Sequence, residues 1–65
     1  MPKSYSSREV IKILVADGWY FIGQEGSHRH YRHPVKSGKV TVTHPKKRVS
    51  MTVLKGVERQ SGLKF

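Results

Sequence analysis

The sequence predicts an α+β domain of order α-β-β-β-α, a three-stranded antiparallel sheet with two helices on one face. Three observations lead there. Apolar residues recur at helical spacing at the two ends of the 65-residue chain, around residues 7–17 and 51–61. Between them lie three short runs of strand-forming residues, set apart by turns that contain Gly or Pro. These turns are too short for crossover connections, so the strands form an antiparallel meander, and one face of such a sheet needs a cover.

Each element has its own local reason. Ser6 followed by Glu9 is a capping box, in which the serine oxygen meets an orphan N–H and the glutamate reaches back. Val10, Ile13, Leu14 and Val15 or Ala16 follow at helical spacing, and Asp17-Gly18 supplies a left-handed stop. The first helix is therefore expected over about Ser7 to Asp17. Trp19-Tyr20-Phe21-Ile22 is aromatic and β-branched, which suits a strand. Gln24-Glu25-Gly26-Ser27 reads as a turn, and His28 to His33 as a second strand ended by Pro34. Val35-Lys36-Ser37-Gly38 turns the chain again, and Lys39-Val40-Thr41-Val42-Thr43 alternates cleanly as a third strand. Pro45-Lys46-Lys47-Arg48 is a loop and Ser50 an N-cap. A second helix follows over about Met51 to Ser61, with Met51, Val53, Leu54 and Val57 facing inward and Gly62 as its stop. There is no internal repeat, linker or low-complexity segment, so residues 1–65 are read as a single domain.

A domain of this size buries only about 60% of its unfolded surface, so its core is thin. It has no room for a cofactor-binding domain, and none is expected. Without cysteine, disulfides and thiolate metal sites are excluded, and a cytoplasmic location is the simplest reading. The first ten residues lack the apolar run of a signal peptide, and no stretch approaches the ~20 apolar residues of a membrane span. Thirteen Lys and Arg against four Asp and Glu leave a formal charge of +9. The field is uneven: up to His33 there are five basic and three acidic residues, and from Pro34 onward eight basic and one acidic. Such a surface attracts polyanions, RNA among them, or an acidic protein.

The stretch Gly26-Ser27-His28-Arg29-His30-Tyr31-Arg32-His33-Pro34 concentrates the chemistry. If Tyr31 faces the helices, alternation puts His28, His30 and Arg32 together on the open face. A one-residue bulge in this strand would reverse that arrangement. A neutral imidazole takes a proton from a ribose 2′-hydroxyl, and its protonated form returns one to a leaving oxygen. RNA carries its own nucleophile, so cleavage needs a base, a nearby cation and placement, with no metal. The Gly26-Ser27 turn lets a backbone or ribose approach closely. Arg29, Arg32, Lys46, Lys47 and Arg48 are candidate phosphate-binding cations, with Ser27 and His30 beside them. Lys46 to Arg48 stand just ahead of the second helix, whose positive end favours phosphate. His44 is either part of this patch or a loop residue satisfied locally. A metal site is set aside: the first two histidines share a face, His33 points away, and the acids are dispersed. Trp19 and Phe21 are read as core, with Tyr20 the aromatic left exposed.

These residues together resemble the HicA (YcfA-like) family of toxin ribonucleases from bacterial toxin–antitoxin pairs. The likeness rests on three blocks: "REVIKILVADGWYFIGQEGSHRHYRHP", the "VTVTHPKK" strand and loop, and "LKGVERQSGL". The resemblance implies a fold like that of double-stranded-RNA-binding domains and metal-independent cleavage of mRNA. It also implies that the histidine of G-S-H, here His28, is catalytic. It further implies a HicB-type antitoxin that covers the site, is acidic where it does so, and links the toxin to operator DNA only indirectly. Many relatives carry a second histidine directly after the first. Here that position is Arg29, and His30 comes one place later. The competing readings are a non-catalytic module that binds double-stranded RNA and a purely structural partner of an acidic protein.

Overall fold

The computed structural model describes residues 4–65. Its element order is α1 (Ser7–Ala16), β1 (Tyr20–Glu25), β2 (His28–Arg32), β3 (Val40–Thr43) and α2 (Met51–Ser61). The strands form one antiparallel sheet in the order β1-β2-β3, as the short turns require. The capping box closes α1: the Ser6 hydroxyl accepts from the Glu9 N–H at 3.1 Å, and the Glu9 carboxylate from the Ser6 N–H at 2.8 Å. Ser50 caps α2 by accepting from the Val53 N–H, and Gly62 ends that helix with φ of 75°.

The apolar stripes meet in one core. Val10 and Leu14 of α1, Leu54 and Val57 of α2, Val40 and Val42 of β3, and Tyr31 of β2 are buried together with Trp19 and Val49. Both helices therefore cover the face of the sheet that Tyr31, Val40 and Val42 present. No helix among the described residues is long and apolar enough to cross a membrane.

The β1–β2 boundary and one side-chain orientation differ from expectation. Gln24 and Glu25 belong to β1 rather than to a turn, paired with Arg29 and His28. A two-residue connection, Gly26-Ser27, suffices because Gly26 takes the positive φ (58°) that a tight hairpin demands of its first residue. The bulge falls in β1, at Ile22, and not in β2, so the alternation of the histidine strand is undisturbed. Met51 is half exposed rather than inward, because it occupies the open first position of α2.

One junction sets the helix geometry. The His33 Nδ1 accepts from the backbone N–H groups of Val35 and Lys36, both at 3.0 Å, so Nε2 carries the hydrogen given to the Asp17 carbonyl at 2.7 Å. The same ring packs edge-on against Trp19 and lies against Gly18, where a Cβ would come within 2.8 Å of Nε2. Gly18 also has φ of +106°, so glycine is required there on two counts. Lys36 Nζ then donates to Asp17 Oδ2 at 2.6 Å and to the Ser61 carbonyl at 3.0 Å, tying the carboxyl ends of α1 and α2 together. The helices consequently run in the same direction.

Two outcomes test this junction. Replacing His33 by Ala removes three hydrogen bonds and should cost about 2–4 kcal/mol of unfolding free energy in urea denaturation. The Lys36 hydrogen bond holds the Asp17 carboxyl below its ordinary range, helped by the Lys36 charge, the Trp19 indole and His33 against the opposing effect of burial. The stability this lends is complete above about pH 4 and is lost as pH falls through the lowered value in the folded state. Asp17→Asn should flatten that acid limb of a stability–pH profile.

Candidate functional site

His28 opens β2 directly after the Gly26-Ser27 turn and pairs with Glu25 on one side and Thr43 on the other. Its side chain is exposed and makes no hydrogen bond to any described residue. The face it occupies follows from the ladder. Tyr31 pairs with Val40 and Arg29 with Val42 on the core side, so His28 and His30 share the opposite face with Thr43 and Thr41. Where α2 runs along the edge strand β3, a groove of about 300 Å³ lies between His28, Thr41 and Thr43 on the sheet and Thr52, Val53, Val57 and Gln60 on α2. The imidazole thus stands at a concave edge with an apolar floor that includes Val53 and Val57, where the threonine hydroxyls and the Gln60 amide can hydrogen-bond sugar or phosphate oxygens without competing for a proton.

The other candidates have separate fates. His30 lies in the same face but is engaged: Nδ1 is 2.9 Å from Thr41 Oγ1 and Nε2 is 3.3 Å from Glu25 Oε1. Arg32 is exposed, yet four residues along the strand put it about 13 Å from His28. Arg29 is turned away from His28. Its guanidinium lies over the Phe21 ring, 4.7 Å from the centroid, and Phe21 in turn packs edge-on against Tyr31. Its Nε is buried with no partner among the described residues. Ser27 is exposed and offers its carbonyl to the His44 N–H at 2.7 Å, which ties the turn before His28 to the end of β3. Tyr20 is half exposed as expected, and Phe21, expected in the core, is nearly as open.

The basic loop is where the tertiary structure adds most. The chain order sets Lys46 to Arg48 against the start of α2, and Lys46 does border a small recess with Ser50 and Val53 there. The loop is also fastened to the start of α1. The Ser7 N–H donates to the Lys46 carbonyl at 2.9 Å, the Lys46 N–H donates to Ser7 Oγ at 2.9 Å, and the Val49 N–H donates to the Tyr5 carbonyl at 2.8 Å. Lys46 and Lys47 therefore lie between the positive ends of both helices, with Arg8 alongside. Arg48 is exposed in the same loop. His44 is satisfied through Ser7, whose Oγ is 2.7 Å from its Nδ1.

Sequence reasoning missed Thr41, Thr43, Thr52, Gln60 and Arg8. Alternation placed Thr41 and Thr43 on the open face, but nothing in the chain order showed that α2 would meet them. Arg8 sits 38 positions from Lys46 and is brought beside it only by the Ser7 hydrogen bonds. Among the described residues no three His, Asp or Glu side chains converge where a metal ion could sit.

The family model described as HicA toxin of bacterial toxin–antitoxin matches residues 7–63 of the chain. Comparison with curated proteins gives no match.

Because the His28 side chain is exposed and has no hydrogen-bond partner among the described residues, its loss should leave the fold intact. His28→Ala is expected to unfold within about 0.5 kcal/mol of the parent in urea denaturation, with an unchanged circular dichroism spectrum.

Proposed function

The chain belongs to the HicA toxin family, and we propose that it acts as a metal-independent endoribonuclease on mRNA, with His28 as its acid–base group. As a member of that family it is a toxin of a bacterial toxin–antitoxin pair. One observation carries the enzymatic reading: the His28 imidazole is exposed at a groove edge, without a hydrogen-bond partner among the described residues, one turn away from a cationic loop. The other three histidines all have hydrogen-bond partners.

The chemistry follows from RNA itself. A neutral His28 takes the proton of a 2′-hydroxyl, and the 2′-oxygen forms a bond to the adjacent phosphorus while the bond to the 5′-oxygen breaks. The leaving oxygen is protonated by solvent or by the imidazolium, giving a cyclic phosphate and a 5′-hydroxyl end. Cations on the loop hold the phosphate charge, and the threonine and glutamine side chains of the groove position the ribose. The partner in this reading is a HicB-type antitoxin, acidic where it covers the groove and the loop, which contacts operator DNA on the toxin's behalf. The site of action is the cytoplasm, where mRNA is translated.

Purified protein incubated with single-stranded RNA and EDTA is expected to cleave it, and His28→Ala to lower the rate by at least about 100-fold. Equal rates for the two proteins refute the assignment. Salt-dependent binding of duplex RNA with no products would instead favour a non-catalytic RNA-binding module.

A further inference from the structure

Beside the turn that carries His28 lies a second recess, larger than the groove, with a volume of about 540 Å³. It is formed where the first turn of α1 meets the loop after β3, and Arg8, His44, Lys46 and Lys47 line it. The hydrogen bond from the His44 N–H to the Ser27 carbonyl joins its wall to the turn that precedes His28.

The recess is built rather than incidental. Ser7 is 1% exposed, and its hydroxyl accepts from the Lys46 N–H, approaches the Lys46 carbonyl at 3.2 Å and lies 2.7 Å from His44 Nδ1. This fixes the imidazole through one nitrogen and leaves Nε2 without a partner among the described residues. Two first-turn N–H groups of α1 are already in use, that of Ser7 by Lys46 and that of Glu9 by Ser6, so the attraction for an anion rests mainly on side chains. Arg8, Lys46 and Lys47 form no ion pair with any described acid. Glu9, the acid of this turn, is engaged by the Ser6 N–H. Three uncompensated cations at the positive ends of two helices repel one another and oppose both helix dipoles, a conflict that a bound anion relieves.

We propose that this recess is a subsite for a backbone phosphate of the RNA strand, next to the phosphate cleaved at His28. The proposal rests on the ribonuclease reading for the identity of the polymer. Arg8 and Lys47 supply the charge, Ser7 and His44 shape the floor, and the strand runs from the groove across the Gly26-Ser27 turn into the recess. Two anchored phosphates would hold the intervening ribose in line with the imidazole.

The test uses the full chain carrying His28→Ala, so that a fluorescent single-stranded RNA oligonucleotide is bound without being cut. Arg8→Gln with Lys47→Gln is compared with Lys55→Gln plus Arg59→Gln, which removes the same charge from the exposed face of α2. All four side chains are exposed, and the folding of each variant is checked by circular dichroism. By anisotropy at about 0.1 M salt, the recess pair is expected to weaken binding roughly tenfold or more and the control pair less than threefold. In the recess variant alone, the slope of log affinity against log salt should become shallower by about 0.7 for each phosphate no longer neutralised. Equal weakening by the two pairs overturns the subsite, even if the protein with His28 restored cleaves RNA. Selective weakening without any cleavage upholds the anion site and refutes the ribonuclease reading instead.

Discussion

The Lys36 ammonium ties the carboxyl ends of both helices to the turn between β2 and β3, and the rest of the layout depends on it. It reaches the Asp17 carboxylate after α1 and the Ser61 carbonyl in the last turn of α2. Both helices direct the negative ends of their dipoles at one cation, a favourable arrangement at each terminus. His33 adds the third strut, bridging the Asp17 carbonyl and the backbone of the same turn. With two carboxyl ends gathered at one edge of the sheet, the two amino ends must emerge at the other.

That opposite edge holds everything chemical. Ser7 and Tyr5 fasten the loop after β3 to the start of α1, while Ser50 starts α2 from the same loop. The hairpin turn before His28 joins it through the bond between Ser27 and His44. The molecule is consequently polar along its helices, with a neutralised end built on Asp17 and Lys36 and a cationic end built on Arg8, Lys46, Lys47 and Arg48. Few apolar side chains hold so small a domain, and its charged end is under electrostatic strain. An anionic polymer or an acidic partner protein is the natural counterpart of such an end.

Within this frame four histidines do four different things, and their partners decide which. His33 is a structural bridge, His30 is held between Thr41 and Glu25, and His44 rests on Ser7. His28 alone projects from the sheet without a hydrogen bond to the described residues. Composition cannot separate these roles, because each residue is an imidazole in a basic neighbourhood. Separation requires knowing what the fold places within about 3 Å of each ring.

Local physics made much of the fold legible in the chain itself. The Ser6–Glu9 box, the Asp17-Gly18 stop, the alternation of Val40 and Val42, and the Ser50 and Gly62 caps each act within a few residues, so their consequences are written in adjacent letters. The face of His28 was legible for the same reason, because strand alternation is local and the bulge spared β2. Tertiary structure decided what depends on distant partners. Arg29 turned toward Phe21, Thr41 and Thr43 met α2 across a groove, and Arg8 joined Lys46 and Lys47 in a recess. Each of these pairs elements far apart in sequence, and their approach is set by the packing of two parallel helices on one sheet rather than by any pattern along the chain.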